Sequence, residues 1–201
     1  MVILENGEKI EIMKSPGFLF YDDTQSPISK TFKLKSTNAR KVDYNKILYQ
    51  SVYNDLISAE IEHQMTGTKS NYIIESPDFI NQIPGEAEYV VFHEELVLPD
   101  NSWQLKIDNE NNSKLYLYDS RGEEKGHFGV PLVYSNKNGS DKKVNYSIDK
   151  KGKKVTINIL VTVEWIIKNS ANFPLTIDPT WYAGTGWEWT GTVSIDDQGD
   201  R

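Results

Sequence analysis

Three histidines, His63, His93 and His127, are the first residues to weigh for chemistry, and none has the paired spacing of a histidine metal site. His93-Glu94-Glu95 sets a base beside two acids. On a strand, however, His93 and Glu95 share one face while Glu94 points to the other, so no acid–base pair forms unaided. Glycoside hydrolysis needs two carboxylates across a cleft, and with 29 acidic residues in 201 some pair will meet that separation by chance. No serine stands in a Gly-x-Ser-x-Gly turn, and neither a phosphate loop nor a dinucleotide fingerprint occurs. The absence of cysteine excludes thiolate nucleophiles, thiolate zinc sites and disulfides together. No residue is assigned a catalytic role, and a protein that is not an enzyme is expected.

Two constellations remain that suit binding. Hard oxygen ligands gather at Asp108-Asn109-Glu110-Asn111-Asn112 and at Asp196-Asp197-Gln198-Gly199-Asp200, and the alternate residues Asp108, Glu110 and Asn112 are a weak candidate set for calcium, the one cofactor the chain suggests. Neither run has the spacing of an EF-hand loop, and Asp and Asn between two strands also make ordinary turns. Aromatic residues crowd the last stretch, with Trp181, Tyr182, Trp187 and Trp189 among Gly184 and Gly186. Trp181, Trp187 and Trp189 are the candidate apolar contacts for a sugar or a partner protein, since large rigid rings bind at little entropic cost. The equal alternative is that they plug the open end of a core. Tyr116 and Tyr118 are weaker contact candidates, because the strand face they share could itself be core.

The elements that must hold these residues read as strands. Ala59, Ile61, His63 and Met65 alternate with Glu60, Glu62 and Gln64, and after Thr66-Gly67-Thr68 the alternation resumes at Tyr72 and Ile74. Three further β-rich runs follow at Tyr89-Val90-Val91-Phe92, Trp103 to Ile107 and Lys114 to Tyr118, each bounded by Pro, Gly, Asn or Asp. Val144, Tyr146 and Ile148, then Val155, Ile157, Ile159, Val161 and Val163, alternate on either side of Lys150-Lys151-Gly152-Lys153 and predict a hairpin. A second hairpin is expected around Glu5-Asn6-Gly7-Glu8, and one short strand from Thr31 to Lys35. Trp165 to Asn169 reads as one helical turn, followed by a short strand at Leu175-Thr176-Ile177, and Tyr49 to Ile57 is the only modest helix candidate. The fold class expected is all-β, an antiparallel β-sandwich or meander with short helical turns.

With 38% apolar residues the chain can bury one sizeable core. The expected division is an N-terminal hairpin and arm over 1–40, a β-sandwich module over 41–180, and a Trp/Gly-rich linker or the start of a following module over 181–201. A net charge of −7 and a pI near 5.0 argue against a nucleic-acid partner, which needs clustered cations. The runs Lys142-Lys143 and Lys150 to Lys154 flank a turn, where lysines solvate the chain. No run of about 18 apolar residues is present to span a membrane, and Met1 to Phe20 lacks the pattern of a signal peptide.

Three segments carry a resemblance: Tyr49-Gln50-Ser51-Val52-Tyr53-Asn54-Asp55-Leu56, the turn Thr66-Gly67-Thr68-Lys69 entering Tyr72-Ile73-Ile74, and Phe173-Pro174-Leu175-Thr176-Ile177-Asp178-Pro179-Thr180. On these the chain from about Tyr44 to Thr180 resembles a β-rich module of large bacterial secreted and wall-associated proteins, including those with YD repeats and those with modules named for their DNRLRE motif. That family commonly carries an acidic residue directly after the lysine of the turn, where this chain has Ser70. The resemblance implies an extracellular or cell-surface spacer preceding further repeats or adhesive modules, with no catalytic residue to carry over. It makes neighbouring modules of a longer chain the expected partners, with a glycan or surface protein as a further one. It also makes the ending at Asp200-Arg201 look like a truncation. The expectation is thus a structural spacer or adhesive module, and the alternative is a carbohydrate-binding module or part of a carbohydrate-active enzyme with a Trp-lined surface.

Overall fold

The computed structural model describes residues 2–4, 9–33, 39–53, 55–64, 67–108, 114–135, 144–183 and 187–188. Period-two alternation produces the hairpin of β13 (Val144–Lys151) and β14 (Lys154–Thr162), whose Val144, Tyr146, Val155, Ile157, Ile159 and Val161 are all buried. Lys151 pairs with Lys154 across a two-residue turn, and Gly152 takes the positive φ of 64° that such a turn asks of its first residue. Lys150 and Lys153 do more than solvate this turn. Their ammonium groups donate to the carbonyls of Asn101 (2.9 Å), Trp103 and Pro99 (2.6 Å), and so hold down the neighbouring loop.

The hairpin forms one edge of a seven-stranded antiparallel sheet. From β13 and β14 the order runs to β8 (Tyr89–Val97), β2 (Lys9–Tyr21), β1 (Val2–Leu4) and β17 (Trp187–Glu188), with β3 (Phe32–Lys33) also on β2. A ten-stranded sheet faces it. Its order is β4 (Ala39–Asp43), β5 (Lys46–Tyr53), β6 (Ile57–Gln64), β7 (Gly67–Ile74), β16 (Thr180–Ala183), β11 (Glu124–Phe128), β10 (Leu115–Tyr118) and β9 (Gln104–Ile107). This sheet branches, because β15 (Leu175–Asp178) also pairs with β7 and carries β12 (Leu132–Ser135) on its other side. The fold is an all-β pair of antiparallel sheets with short helical pieces. One of these, α1 (Val163–Lys168), starts where the Thr162 hydroxyl accepts the Trp165 N–H and buries Trp165 and Ile166. No helix among the described residues is long and apolar enough to cross a membrane.

One continuous core lies between the sheets. Phe18, Phe92, Ile157 and Tyr146 from the first sheet meet Tyr72, Leu117, Phe128 and Trp181 from the second. Tyr72 stacks on Phe92 at 4.9 Å, and Phe128 meets Tyr146 edge-on at 6.4 Å.

Three expectations are corrected here. Residues 9–21 are not an arm: β2 is an interior strand between β8 and β1, and Ile10, Phe18 and Phe20 are core. Register irregularities between Glu11 and Gly17 let a stretch containing Pro16 stay in the sheet, since a bulge releases the N–H that proline lacks. Residues 49–53 are strand rather than helix, with Tyr49 opposite Ala59. A segment this short makes a marginal helix, while β6 offers a ready partner for its Tyr and Val residues. The boundary at 180 also moves. β16 runs past it between β7 and β11, and Trp187 returns to the first sheet opposite Leu4 of β1.

Candidate functional site

Register places a line of side chains on the outer face of the larger sheet. Lys106 of β9 pairs with Tyr116 of β10, Tyr116 with His127 of β11, and His127 with Tyr182 of β16. Their neighbours along each strand, Leu105, Leu115, Leu117, Phe128 and Trp181, are buried, so alternation turns the line itself outward. Tyr116 and His127 have ring centroids 5.7 Å apart, and His127 and Tyr182 stack at 5.2 Å. Tyr118 extends the row from Tyr116 at 6.5 Å, with the Lys106 ammonium 5.3 Å from its ring centre. Tyr182 is 39% exposed. At the rim the Glu124 carboxylate stands 3.4 Å from His127 Nδ1.

The candidate contacts are thereby redistributed. Trp181 is 1% exposed and meets Phe128 edge-on at 4.8 Å, so its indole is core and not a surface contact. The reason is register: adjacent residues of a strand face opposite ways, and pairing of β16 with β11 sends Tyr182 out and Trp181 in. Tyr116 and Tyr118, the weaker contact candidates, line the outer face. Trp187 lies in β17, while Trp189 lies outside the described residues, as do Glu110 and Asn112 of the calcium set. Asp108 closes the strand pair, its backbone N–H donating to the Lys114 carbonyl at 2.9 Å, and no cluster of three His, Asp or Glu fit to hold a metal occurs among the described residues.

Among the described residues three carboxylates are buried, each with its own partners. Asp178 binds the Lys69 ammonium at 2.6 Å and accepts from the Thr180 hydroxyl at 2.8 Å. Burial alone would lower the Lys69 pKa, but Asp178 lifts it above the ordinary value. These residues sit where the sheet branches. Thr180 lies opposite Lys69, the Ser70 N–H donates to Pro179 O, and Ile177 lies opposite Tyr72. Residues 67–69, expected as a turn, are instead the start of β7, and with the octapeptide ending at Thr180 they form two halves of one junction.

Asp119 shapes the β10–β11 turn. One carboxylate oxygen accepts the N–H groups of Arg121 (2.8 Å) and Glu123 (2.9 Å), and the other accepts from the Arg121 guanidinium and lies 3.4 Å from Lys125. Burial pushes its pKa up, but those N–H groups and cations outweigh it and bring the pKa down to about 2. Asp119→Ala is expected to cost about 1–3 kcal/mol in denaturant melts at neutral pH. Because the folded pKa is depressed, the charge's contribution is complete above the ordinary carboxylate range and fades as pH falls towards about 2. The wild-type and variant melts should therefore converge at the acid end.

Glu94 differs from both. It is 2% exposed on the inner face of β8, and one oxygen accepts the Ser70 hydroxyl at 2.8 Å and the Tyr72 hydroxyl at 2.7 Å, both from the opposite sheet. Burial raises its pKa, with the Tyr72 and Ser70 hydrogen bonds restraining the rise. Sequence reasoning placed Glu94 opposite in direction to His93 and Glu95 but gave it no role, since nothing local announces its cross-sheet partners. His93 leans over Gly17, where a Cβ would lie 2.8 Å from its ring, and burial lowers its pKa. His63 Nδ1 stands 3.1 Å from the Thr68 hydroxyl. No protein-family model matches the chain, and no curated protein is similar to it.

Proposed function

We propose that the chain is a non-catalytic structural module of a larger bacterial extracellular or surface protein, acting as a spacer that also adheres through the outer row of Tyr116, Tyr118, His127 and Tyr182. The row carries the adhesive half of this reading, because half-exposed rings on a sheet whose other face is core give a rigid contact surface. The spacer half is supported by the partners of the buried acids. Lys69 and the β10–β11 turn occupy Asp178 and Asp119, and two hydroxyls occupy Glu94, which suits structural ties between strands rather than a pair of carboxylates sharing a substrate. Two of the three segments that carry the resemblance to wall-associated modules, 67–74 and 175–180, meet at the branch of the sheet. The same row also suits a carbohydrate-binding module attached to a carbohydrate-active enzyme.

Binding of the purified chain to bacterial cell-wall preparations tests this reading. Tyr182→Ala and Tyr116→Ala should each weaken retention by about tenfold, the effect of one lost ring contact. The melting temperature should stay within about 2 °C of wild type, as expected for exposed positions. Retention that ignores both substitutions would sink the adhesive role.

A further inference from the structure

Resting on the reading of the outer row as the binding surface, we infer that its ligand is a neutral, linear glycan laid across the strands. The chemistry of the row suits a sugar. Tyr116, Tyr118, His127 and Tyr182 each join an apolar ring to a polar atom, matching a ligand with apolar C–H faces and a rim of hydroxyls. One cation and one anion, Lys106 and Glu124, flank the row. Those two charges cancel, and the chain as a whole carries −7, so the surface offers no net attraction to a polyanion and no penalty to a neutral polymer.

The direction of the row argues for an extended ligand. Lys106, Tyr116, His127 and Tyr182 lie on four adjacent strands, so the line crosses the sheet over roughly 14 Å at the usual inter-strand spacing. Tyr182, at one end of it, is its most exposed ring among the described residues. The next position across the sheet is Gly67, which has no side chain to stand beside Tyr182, and a Cβ on Gly129 would lie 2.8 Å from the Tyr182 ring. Among the described residues no side chain therefore stands beside Tyr182 on that strand, and Gly129 lets the chain pass close to its ring.

The test titrates the full chain with cellohexaose and chitohexaose, with their disaccharides, and with heparin as an acidic polysaccharide, following backbone amide shifts by NMR. The expected result is saturable binding of at least one neutral hexasaccharide, about tenfold tighter than its disaccharide, with shifts centred on the row. Tyr182→Ala should weaken it about tenfold and Tyr182→Phe should restore most of it, since the ring and not the hydroxyl makes the platform. Tyr116→Ala gives the same readout from a second strand if one variant folds poorly. Absence of binding by both neutral hexasaccharides, a preference for heparin, or indifference to these substitutions would overturn the inference. If the neutral sugars fail while row-dependent retention on cell-wall material persists, the adhesive reading stands and the ligand class falls; if that retention fails too, both fall.

Discussion

Trp181→Ala should cost about 3–5 kcal/mol, as removal of a fully buried indole generally does. For a chain of this size that is a drop in melting temperature on the order of 10 °C. It would take a large share of the roughly 5–15 kcal/mol by which domains are stable. The ring is closed in on several sides. Phe128 meets it edge-on at 4.8 Å, and a Cβ on Gly126, whose φ is +151°, would fall 2.5 Å from it. Gly126→Ala should accordingly destabilise by a comparable route, forcing a methyl into the space the indole fills. The neighbouring Tyr182→Ala is the control, because it removes a ring of similar kind from the opposite face. Chemical denaturation of the three variants separates the readings: a melt unchanged in Trp181→Ala would return that residue to the surface.

Glu94→Gln should alter the pH dependence of stability, with a sign opposite to that of Asp119. Burial raises the folded pKa of this carboxyl above the unfolded value, so its favourable contribution is complete below the unfolded pKa and is lost as pH rises through the folded one. Across that window the glutamine variant should gain on wild type by up to about 1.4 kcal/mol per pH unit. His63 and His93, whose pKa values burial lowers, act with the opposite sign: their contribution is lost as pH falls below the ordinary imidazole range. They are common to both proteins and cancel in the difference. Melts at a series of pH values from 4 upward check the slope, and parallel curves would show that Glu94 ionises as freely in the fold as in the unfolded chain. Glu94→Ala is a harsher change, because it strands the buried Tyr72 hydroxyl at a cost on the order of 1–3 kcal/mol before any cavity is counted. Combining Glu94→Leu with Tyr72→Phe should recover much of that loss, since the acceptor and its donor then leave together.

These two expectations turn on residues that sequence reading treated unevenly. Trp181 drew notice as an aromatic in a glycine-rich stretch, and its residue type announced a large contact without saying with what. Period two puts Tyr116 and Tyr118 on one strand face. Which face was core depended on the partner strands. Glu94 carried no local signal, because its hydrogen-bond donors lie 22 and 24 residues earlier, on the other sheet. The octapeptide ending at Thr180 and the segment around Lys69 are each legible as specific segments, yet only pairing shows that 67–69 is strand and that the two form one junction, with Asp178 on Lys69.

What the sequence by itself determined is the set of local properties. These are strand character at β6 to β10 and at β13 and β14, where alternation and bounding turn residues operate within a few positions, the helical turn at Trp165, and the exclusion of thiol chemistry. What only the tertiary structure decided is everything set by partners distant along the chain. β2 became an interior strand because β8 and β1 flank it, whatever Pro16 and Gly17 suggest locally. Residues 49–53 became strand because β6 was there to pair with them. Trp181 went inward and the tyrosine row outward because a strand's period of two leaves the choice of face to register, and register belongs to the pair of strands and not to either one.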